Sequence, residues 1–396
     1  MKTRILALLL CGALLASAFT LPAMAETITP ATQADFDLPC QAAILVDLGT
    51  GAVLYEKNAD EQRAIASITK VMTLLLTFQA LEAGRVQLTD IVPVSEHAYG
   101  MGGSQIWLEP GEQLTLEEML KAICISSAND AAVAVAEYIG GSEDAFVQQM
   151  NAEAARLGMT GTHFENACGL DETGHLSTAR DVAVMSREML LHHTEIADYC
   201  TIWTDTLRGG ETQLVNTNKL LRSYQGITGL KTGTTGGAGV CISASAERDG
   251  LGLVAVILGA PSSKDRFDAA RTLLDYGFAN YQSLTAELPA DAPKTLPVAR
   301  GAEETVELNY TAPGSFLAAK GDDAQLEVQL ALPESVEAPV AAGQQLGTVT
   351  VLRGGQTLAE YPVAAANDVA ALSFGLCFRR LVEALLLHAL NFVQNW

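Results

Sequence analysis

Ser67 and Lys70 are the residues whose types and spacing most directly suggest chemistry. They stand at positions i and i+3 in ASITKVMTLLL, Ala66 to Leu76, so a helix would place both side chains on one face. A serine hydroxyl is a weak nucleophile until a base removes its proton. A lysine can be that base when burial or a neighbouring cation keeps it neutral. The pair therefore predicts a serine nucleophile activated by a lysine at the start of a buried helix.

Two further motifs strengthen this interpretation, because each has a suitable local context. Ser127-Ala128-Asn129 lies between two predicted helices, and Lys231-Thr232-Gly233 lies on a predicted strand. S-x-x-K alone occurs often by chance in helices. S-x-x-K, S-x-N and K-T-G in this order, however, are the signature of class A β-lactamases and penicillin-binding proteins.

The chain resembles the low-molecular-mass penicillin-binding proteins, specifically the serine-type D-alanyl-D-alanine carboxypeptidases. Besides the three motifs, GGSQIWLEPGEQLTLEEMLKAICISSAND, GLDETGHLSTARD and GITGLKTGTTGGAGVCISASA are similar to this family. The resemblance implies an α+β fold: a β-lactamase/transpeptidase-like antiparallel sheet with packed helices and a helical subdomain, then a small C-terminal all-β domain. It also implies removal of the terminal D-alanine from peptidoglycan stem peptides ending in D-Ala-D-Ala, binding of β-lactam antibiotics, and no cofactor or metal.

The resemblance assigns the catalytic roles to three side chains. Ser67 would attack the carbonyl between the two D-alanines and form an acyl-enzyme, and Lys70 would accept its proton. Ser127 would relay a proton to the leaving amine. The backbone N–H groups of Ser67 and Thr234 would form the oxyanion hole.

The remaining site residues are expected to bind substrate or to tune the charge. Asn129 would hold Lys70 or the substrate amide, and Lys231 would add positive charge near Lys70 and Ser127. Either Thr232 or Thr234 would bind the terminal carboxylate, and Gly233 would let the substrate backbone lie close to the strand. We expect Arg266, near the start of a later helix, to form a surface salt bridge rather than to bind an anionic substrate.

Two other functions are considered: a β-lactamase of the same fold, and a catalytically silent wall-binding protein. Class A β-lactamases carry a Glu-x-x-Leu-Asn pattern, whereas Glu165 is followed here by Asn166-Ala167-Cys168-Gly169, so we interpret Glu165 as a loop residue. The intact motifs disfavour a silent protein. His163 and His175 suggest a metal site, but there is no HExxH motif, and we expect His175 to shape a loop beside the site.

Charge and the N-terminus limit the partners and the compartment. The chain has 24 basic and 46 acidic residues, a net charge of −22, which argues against nucleic acid because that partner requires a basic face. Residues 1–25 are typical of a signal peptide, with Lys2 and Arg4, an apolar stretch, and Ala23-Met24-Ala25 as the cleavage site. Without them the net charge is −24, because they hold two basic and no acidic residues. We therefore expect an extracytoplasmic protein.

Periodicity and turn signals predict the elements that position the motifs. Residues 41–59 are typical of a hairpin, and a helix is predicted from Ser67 to Ala83. Thr-x-x-acid patterns at Thr115 and Thr178 predict two more helix starts. Strands return from Ile227 and are followed by a helix near residues 263–281. The order predicts a mostly antiparallel sheet with helices packed on it.

Composition predicts a signal peptide at 1–25, a carboxypeptidase domain at 26–283, a small all-β domain at 284–368, and a tail at 369–396. On a helix, the tail places a set of apolar residues on one side: Phe374, Phe378, Leu381, Leu385, Ala389, Phe392 and Trp396. Its uncharged part, Ala384 to Trp396, is shorter than the ~20 residues that span a bilayer. The tail therefore predicts an amphipathic helix on the outer face of the cytoplasmic membrane, with packing on the β domain as the alternative.

Overall fold

The computed structural model describes residues 37–321 and 325–394. The expected signal peptide lies outside the described residues. Among those described, residues 37–285 and 315–321 form a larger compact unit, and residues 286–314 and 325–394 form a smaller one. All three motifs belong to the larger unit.

The described strands are, in chain order, β1 (Ala42–Asp47), β2 (Val53–Lys57), β3 (Ile91–Val92), β4 (Leu114–Thr115), β5 (Thr204–Leu207), β6 (Thr212–Val215), β7 (Ile227–Thr235), β8 (Gly239–Arg248), β9 (Leu251–Ala260), β10 (Tyr281–Thr285), β11 (Thr295–Ala299), β12 (Thr305–Tyr310), β13 (Ser315–Ala319), β14 (Leu326–Ala331), β15 (Val336–Glu337), β16 (Gln345–Arg353) and β17 (Gln356–Ala365).

The described α-helices are α1 (Lys70–Glu82), α2 (Glu96–Tyr99), α3 (Leu116–Ser126), α4 (Asn129–Gly140), α5 (Glu143–Arg156), α6 (Ala179–His192), α7 (Ile196–Cys200), α8 (Ser263–Asn280) and α9 (Phe374–Gln394). Short 3₁₀ turns occur at Ala66–Thr69, Arg208–Gly210 and Lys219–Arg222.

A five-stranded antiparallel sheet in the order β2-β1-β9-β8-β7 forms the centre of the larger unit. Successive residues of a strand point to opposite faces, so β1 contributes to two cores. Ile44 and Val46 pack with α1, α3, α4 and α6, whereas Ala43 and Leu45 pack with α8. An antiparallel sheet covered by helices confirms the predicted fold class.

Local capping fixes where two of the helices begin. The Thr115 hydroxyl accepts a hydrogen bond from Glu118 N, while the Glu118 carboxylate accepts one from Thr115 N, so the predicted capping box is confirmed. The Thr178 hydroxyl likewise accepts from Asp181 N at the start of α6. An N-cap of this kind stabilises a helix by about 1 kcal/mol. Helix α3 ends at Ser126, immediately before the S-x-N motif, where Ser127 adopts the left-handed conformation.

The predicted helix from Ser67 to Ala83 begins differently in the structure. Residues Ala66–Thr69 form a 3₁₀ turn, and the α-helix itself starts at Lys70. The turn follows from the backbone of Ala66, whose φ of 50° lies in the left-handed region. Ser67 therefore stands on a tight turn in front of α1 rather than within its first turn.

The smaller unit contains a six-stranded sheet in the order β14-β16-β17-β12-β11-β15. Its core holds apolar side chains from β11, β12, β16 and β17, among them Leu296, Val306 and Leu346. A C-terminal all-β region was predicted, and this sheet confirms it. Helix α9, which follows, confirms a helical tail. Within the described residues, no helix combines the length and the hydropathy needed to cross a membrane.

Candidate active site

Ser67 lies in the 3₁₀ turn, and two glycines leave room for the backbone of that turn. A Cβ atom on Gly169 would stand 2.0 Å from Ala66 O and 2.9 Å from Ser67 N. A Cβ atom on Gly233 would stand 2.9 Å from Ile65 O and 3.0 Å from Ser67 N. The left-handed backbone of Ala66 costs about 1–2 kcal/mol relative to an ordinary conformation. The half-buried Ser67 is thus held in a strained turn by backbone on two sides.

The Lys70 ammonium is completely buried and contacts the Ser67 hydroxyl directly. Lys70 Nζ lies 3.0 Å from Ser67 Oγ, 2.6 Å from Asn129 Oδ1 and 2.7 Å from the Cys168 carbonyl oxygen. A charged lysine has three protons to donate, and these three acceptors use them all. A neutral lysine has two protons and a lone pair. Of the three partners, Ser67 alone carries a proton that the lone pair could accept.

Ser127 and Asn129 occupy the junction between α3 and α4. Ser127 ends α3 in the left-handed conformation, with φ 61° and ψ 32°, and its hydroxyl accepts a hydrogen bond of 2.9 Å from Lys231 Nζ. Asn129 donates from Nδ2 to the Gly102 carbonyl at 2.7 Å. Its Oδ1 is thereby turned toward Lys70, so in this structure the Asn129 side chain holds the lysine.

The third motif lies on β7, which is an edge strand of the central sheet. Lys231 is buried and donates to Ser127 Oγ and to the Thr232 carbonyl, both at 2.9 Å. Thr232 is also buried, and its hydroxyl pairs with Thr217 Oγ1 at 2.6 Å. Thr234 is exposed, and its hydroxyl donates to the Gly233 carbonyl at 2.7 Å. Thr234 is therefore the more accessible of the two threonines.

Gly233 lies against the turn that carries Ser67. The atoms that a Cβ at this position would approach belong to Ile65, Ala66 and Ser67 of the chain itself, and the expectation that the glycine also admits substrate backbone stays a prediction. Gly233 therefore lets β7 approach the turn that carries Ser67. Through this approach β7, which carries Thr234, lies beside the backbone amide of Ser67. The oxyanion hole formed by the amides of Ser67 and Thr234 stays a prediction.

The expectation of a surface salt bridge for Arg266 is wrong. Arg266 is buried, and its Nη1 donates to the carbonyls of Gly233 and Cys241, each at 3.1 Å, and lies 3.4 Å from Thr234 Oγ1. Burial lowers the pKa of Arg266 to about 10, so the side chain stays charged at neutral pH. Among the described residues no carboxylate pairs with it. Arg266 thus places an uncompensated positive charge beside Thr234.

Burial lowers the pKa of both motif lysines. The pKa of Lys70 falls to about 8, because loss of solvent outweighs the attraction of Cys168 and Asp130. The pKa of Lys231 falls to about 7, because burial acts together with repulsion from Lys70 and Arg266. The two lysines repel each other, so a charge on one disfavours a charge on the other. Near neutral pH the pair therefore holds fewer than two protons.

Residues 27–262 match the model of the D-alanyl-D-alanine carboxypeptidase family, and residues 288–371 match that of the C-terminal domain of penicillin-binding protein 5. D-alanyl-D-alanine carboxypeptidase DacF of Bacillus subtilis is 40% identical over 338 residues, covering 84% of this chain and 87% of DacF. This chain belongs to the D-alanyl-D-alanine carboxypeptidase family. It is accordingly a serine hydrolase of the penicillin-binding protein type.

Solved structures of this family share the fold. Penicillin-binding protein 5 from Haemophilus influenzae matches with a TM-score of 0.68 and 28% identity, over 85% of this carboxypeptidase and 99% of that chain. Penicillin-binding protein D2 from Listeria monocytogenes, solved in a cefotaxime-bound form, matches with a TM-score of 0.58 and 32% identity, over 62% and 100%. Neither these structures nor the relatives favour a β-lactamase or a silent protein.

A segment at residues 166–169, here called the strap, completes the carboxypeptidase site. The sequence predicted only part of it. The Cys168 carbonyl accepts from Lys70, and the neighbouring Ala167 carbonyl accepts from Thr73 Oγ1 at 2.6 Å. The Asn166 side chain accepts from Gly169 N at 2.7 Å and so closes the strap on itself. The segment GLDETGHLSTARD, which begins at Gly169, carried the family resemblance and was the available signal for this strap.

His175 contacts Thr69, the last residue of the 3₁₀ turn that carries Ser67. Its Nδ1 accepts from Glu165 N at 3.1 Å, so Nε2 carries the proton and donates to Thr69 Oγ1 at 2.7 Å. Burial lowers the pKa of His175 to about 4, so the ring stays neutral at working pH. The expectation that His175 shapes a loop beside the site agrees with these contacts. Glu165 lies in a loop, as interpreted, and its carboxylate faces His163 at 3.3 Å.

Sequence reasoning missed the two residues that fix the loop before α3. The Asp130 carboxylate accepts from Ile106 N and Leu108 N, at 3.1 Å each, and is fully buried. Arg208 donates to the Ile106 carbonyl at 2.8 Å and pairs with Glu112 at 2.5 Å. Asp130 follows the S-x-N motif directly, which was a usable signal. Arg208 gave none, because Ile106 and Glu112 lie about a hundred residues away from it in the chain.

Proposed function

We propose that Ser67 is the nucleophile with which this carboxypeptidase removes the terminal D-alanine of a peptidoglycan stem peptide. The observation that carries the proposal is the 3.0 Å contact between Lys70 Nζ and Ser67 Oγ at a fully buried lysine whose pKa lies near 8. A general base must reach the proton that it removes, and its pKa should lie near the working pH. Lys70 meets both conditions.

The substrate itself would set which lysine is neutral. We place the terminal carboxylate of the peptide at Thr234, where the charge of Arg266 is available. An anion at this position raises the pKa of Lys231 by attraction, and a charged Lys231 lowers the pKa of Lys70 by repulsion. Substrate binding would therefore place the proton that the two lysines share on Lys231, leaving Lys231 charged and Lys70 neutral. Lys70 is then ready to deprotonate Ser67.

The bond changes then follow in order. Ser67 Oγ bonds to the carbonyl carbon as its proton passes to Lys70, and the oxyanion accepts hydrogen bonds from the amides of Ser67 and Thr234. The C–N bond breaks, and the leaving amine takes its proton from Ser127. Ser127 is reprotonated by Lys231, whose Nζ lies 2.9 Å from its hydroxyl. The proton that Lys70 took from Ser67 then passes to Lys231, so Lys231 is charged and Lys70 is neutral again. Water, activated by Lys70, then hydrolyses the acyl-enzyme.

The peptide would bind as an added strand along β7. An edge strand leaves backbone N–H and C=O groups unpaired, and an extended peptide can pair with them. This orientation brings the scissile carbonyl to the turn of Ser67, because Gly233 lets β7 lie against that turn. Asn129 and Lys231 line the same site and complete the set of substrate-binding residues with Thr232, Gly233 and Thr234. A β-lactam would acylate Ser67 by the same path.

We further propose an extracytoplasmic enzyme bound to the outer face of the cytoplasmic membrane. Residues 1–25 would direct export, 26–283 form the catalytic domain, 284–368 the β domain and 369–396 the anchor. Helix α9 supports this: its apolar side is solvent-exposed, with Phe374 at 86%, Leu381 at 58% and Leu385 at 62%. Such a side fits the membrane interface and is not covered by the β domain.

The decisive experiment combines peptide hydrolysis with labelling. The purified enzyme is incubated with a peptide ending in D-Ala-D-Ala, and released D-alanine is measured. Penicillin is added separately, and the modified peptide is located by mass spectrometry. We expect D-alanine release and one penicillin mass on the peptide that contains Ser67.

Two variants make the result specific. Ser67→Ala should abolish both release and labelling, whereas Ser315→Ala, at an exposed serine of the same unit, should leave both unchanged. Labelling that persists in Ser67→Ala would overturn the assignment. Rapid penicillin turnover would indicate a β-lactamase, and the absence of hydrolysis and labelling in the native enzyme would indicate a silent protein.

A further inference from the structure

A cavity of about 690 Å³ lies in the larger unit and contains none of the motif residues. It is lined by the C-terminal half of α1, the first half of α3, and the segment from the end of α6 through α7. Lys70 and Ser127 stand at the opposite ends of α1 and α3. A volume of this size is typical of sites for small organic ligands.

The floor of the cavity is aromatic and carries the hydroxyl of Tyr199. The Phe78 ring lies 6.1 Å from the His193 ring and 6.1 Å from the Tyr199 ring, centroid to centroid. Tyr199 is 9% exposed and lines the cavity, and its hydroxyl forms no hydrogen bond with a described residue. The hydroxyl is not among the buried unsatisfied atoms, so it is open to the water or to the ligand that fills the cavity. It therefore offers a bound molecule one hydrogen-bonding group beside the aromatic rings.

The rim of the cavity is negative. Glu82, Glu117, Glu195 and Asp198 line it, against a single lysine, Lys121. That lysine is already 3.6 Å from Glu117 and 3.4 Å from Asp205. Burial, with Glu117 and Asp198 nearby, raises the pKa of the Tyr199 hydroxyl to about 12, so it stays neutral. The rim thus favours a cation.

We propose that this cavity is a second binding site, which takes an organic cation with an apolar body and couples to acylation. The apolar body would lie on Phe78 and Tyr199, where a cation also gains from the ring faces. The carboxylates of the rim would hold the charged group. This site is separate from the catalytic centre and does not depend on Ser67.

The cavity can be coupled to the catalytic residues because both lie on the same helices. Helices α1 and α3 join the cavity to Lys70 and Ser127. Helix α7 lies against β7, since the Cys200 Cβ is 3.5 Å from the position of a Cβ on Gly229. The Cys200 carbonyl accepts from Asn216 Nδ2 at 3.1 Å, and Asn218 Nδ2 donates to the Gly229 carbonyl at 3.1 Å. A ligand that shifts α7 therefore acts on the strand that carries Lys231.

The test uses three probes of one shape: 4-phenylbutylamine, 4-phenylbutanol and 4-phenylbutyrate. Binding to the full chain is measured by calorimetry and by saturation-transfer NMR, for the native enzyme and for Ser67→Ala. We expect the amine to bind both proteins, about 5- to 30-fold more tightly than the alcohol, because one or two carboxylates contribute to its binding. Equal affinities for amine, alcohol and acid, or amine binding that requires Ser67, would overturn the site.

Two variants and a control locate the amine. Glu117→Gln with Asp198→Asn should weaken amine binding to the level of the alcohol, and Tyr199→Phe should weaken both probes. Glu96→Gln with Glu247→Gln, at exposed carboxylates outside the cavity, should change neither. At saturating amine, acylation by a fluorescent penicillin should change about 5-fold or more. Loss of binding in the control pair overturns the location, and an unchanged acylation rate overturns the coupling.

Discussion

Replacement of Gly169 by alanine tests whether the turn of Ser67 is held in place by the strap. The added Cβ would stand 2.0 Å from Ala66 O and 2.4 Å from Ala66 C. Real Cβ atoms essentially never approach other atoms within 3.0 Å, so the separation from Ala66 O is short by about 1 Å. The atoms in the way are backbone and cannot rotate aside. The peptide between Ala66 and Ser67 must therefore move by about 1 Å, or the strap must.

The magnitude follows from the position of that peptide. It carries the Ser67 amide and sets the distance from Ser67 Oγ to Lys70 Nζ, now 3.0 Å. A displacement of about 1 Å at reacting groups can cost ~100-fold in rate. If the strap moves instead, the Cys168 carbonyl loses its hydrogen bond from Lys70, and the protonation state of Lys70 changes. Both routes predict acylation by penicillin roughly 100-fold slower than in the native enzyme.

The assay is stopped-flow acylation with a fluorescent penicillin, alongside thermal unfolding. Gly158→Ala is the matched control: Gly158 has φ 74°, close to the 86° of Gly169, but no atom within 4 Å of an added Cβ. Each variant places an alanine in the left-handed region, at about 1–2 kcal/mol. We expect the control to acylate within about 3-fold of the native rate. Equal acylation rates in the two folded variants would refute the reasoning.

Four further outcomes are expected. Lys70→Arg should fold but acylate ~10²–10⁴-fold more slowly, because arginine does not deprotonate; near-normal acylation at neutral pH would contradict this role. In the native enzyme, kcat/KM should rise with pH through about 7 to 8, as the Lys70–Lys231 pair loses a proton, and a profile that is flat across this range would count against a lysine base. The penicilloyl enzyme should outlast the peptide acyl-enzyme, because the Glu-x-x-Leu-Asn pattern is absent; regeneration within milliseconds would show otherwise. Truncation after Ala370 should release the enzyme from the membrane fraction while soluble peptide is still cleaved, and retention would place the anchor elsewhere.

Elements whose signals are local were predictable from the sequence. The capping box of Thr115 and Glu118 lies within four residues, and it fixed the start of α3. The apolar runs of β1 and β9 need no information beyond their own residues, because a central strand is covered on both faces. The three motifs were likewise readable, since each lies on one element of defined type.

Features that depend on distant parts of the chain were not predictable. The 3₁₀ turn at Ser67 exists because Gly169 and Gly233, a hundred and more residues away, bring backbone against it. Arg266 has the charge of a surface residue, and its burial follows only from how α8 packs on the sheet. The lowered pKa values of Lys70 and Lys231 depend on their burial and on which charges lie nearest in space. Spacing along the chain cannot supply that information.

Four unfavourable local features of the larger unit lie together at the candidate active site. Ala66 and Ser127 both adopt left-handed backbone without being glycine. Lys70 and Lys231 are both buried, and no carboxylate of residues 37–321 or 325–394 forms an ion pair with either. Each is destabilising alone, and such features persist only where the surrounding structure fixes them. Here the surrounding structure is the strap, α4 and β7. The strap is closed by a hydrogen bond of its own, and β7 is paired with β8. The strained backbone and the lowered lysine pKa values thus belong to one arrangement. It places Ser67 in contact with Lys70, a base that would stay protonated in water.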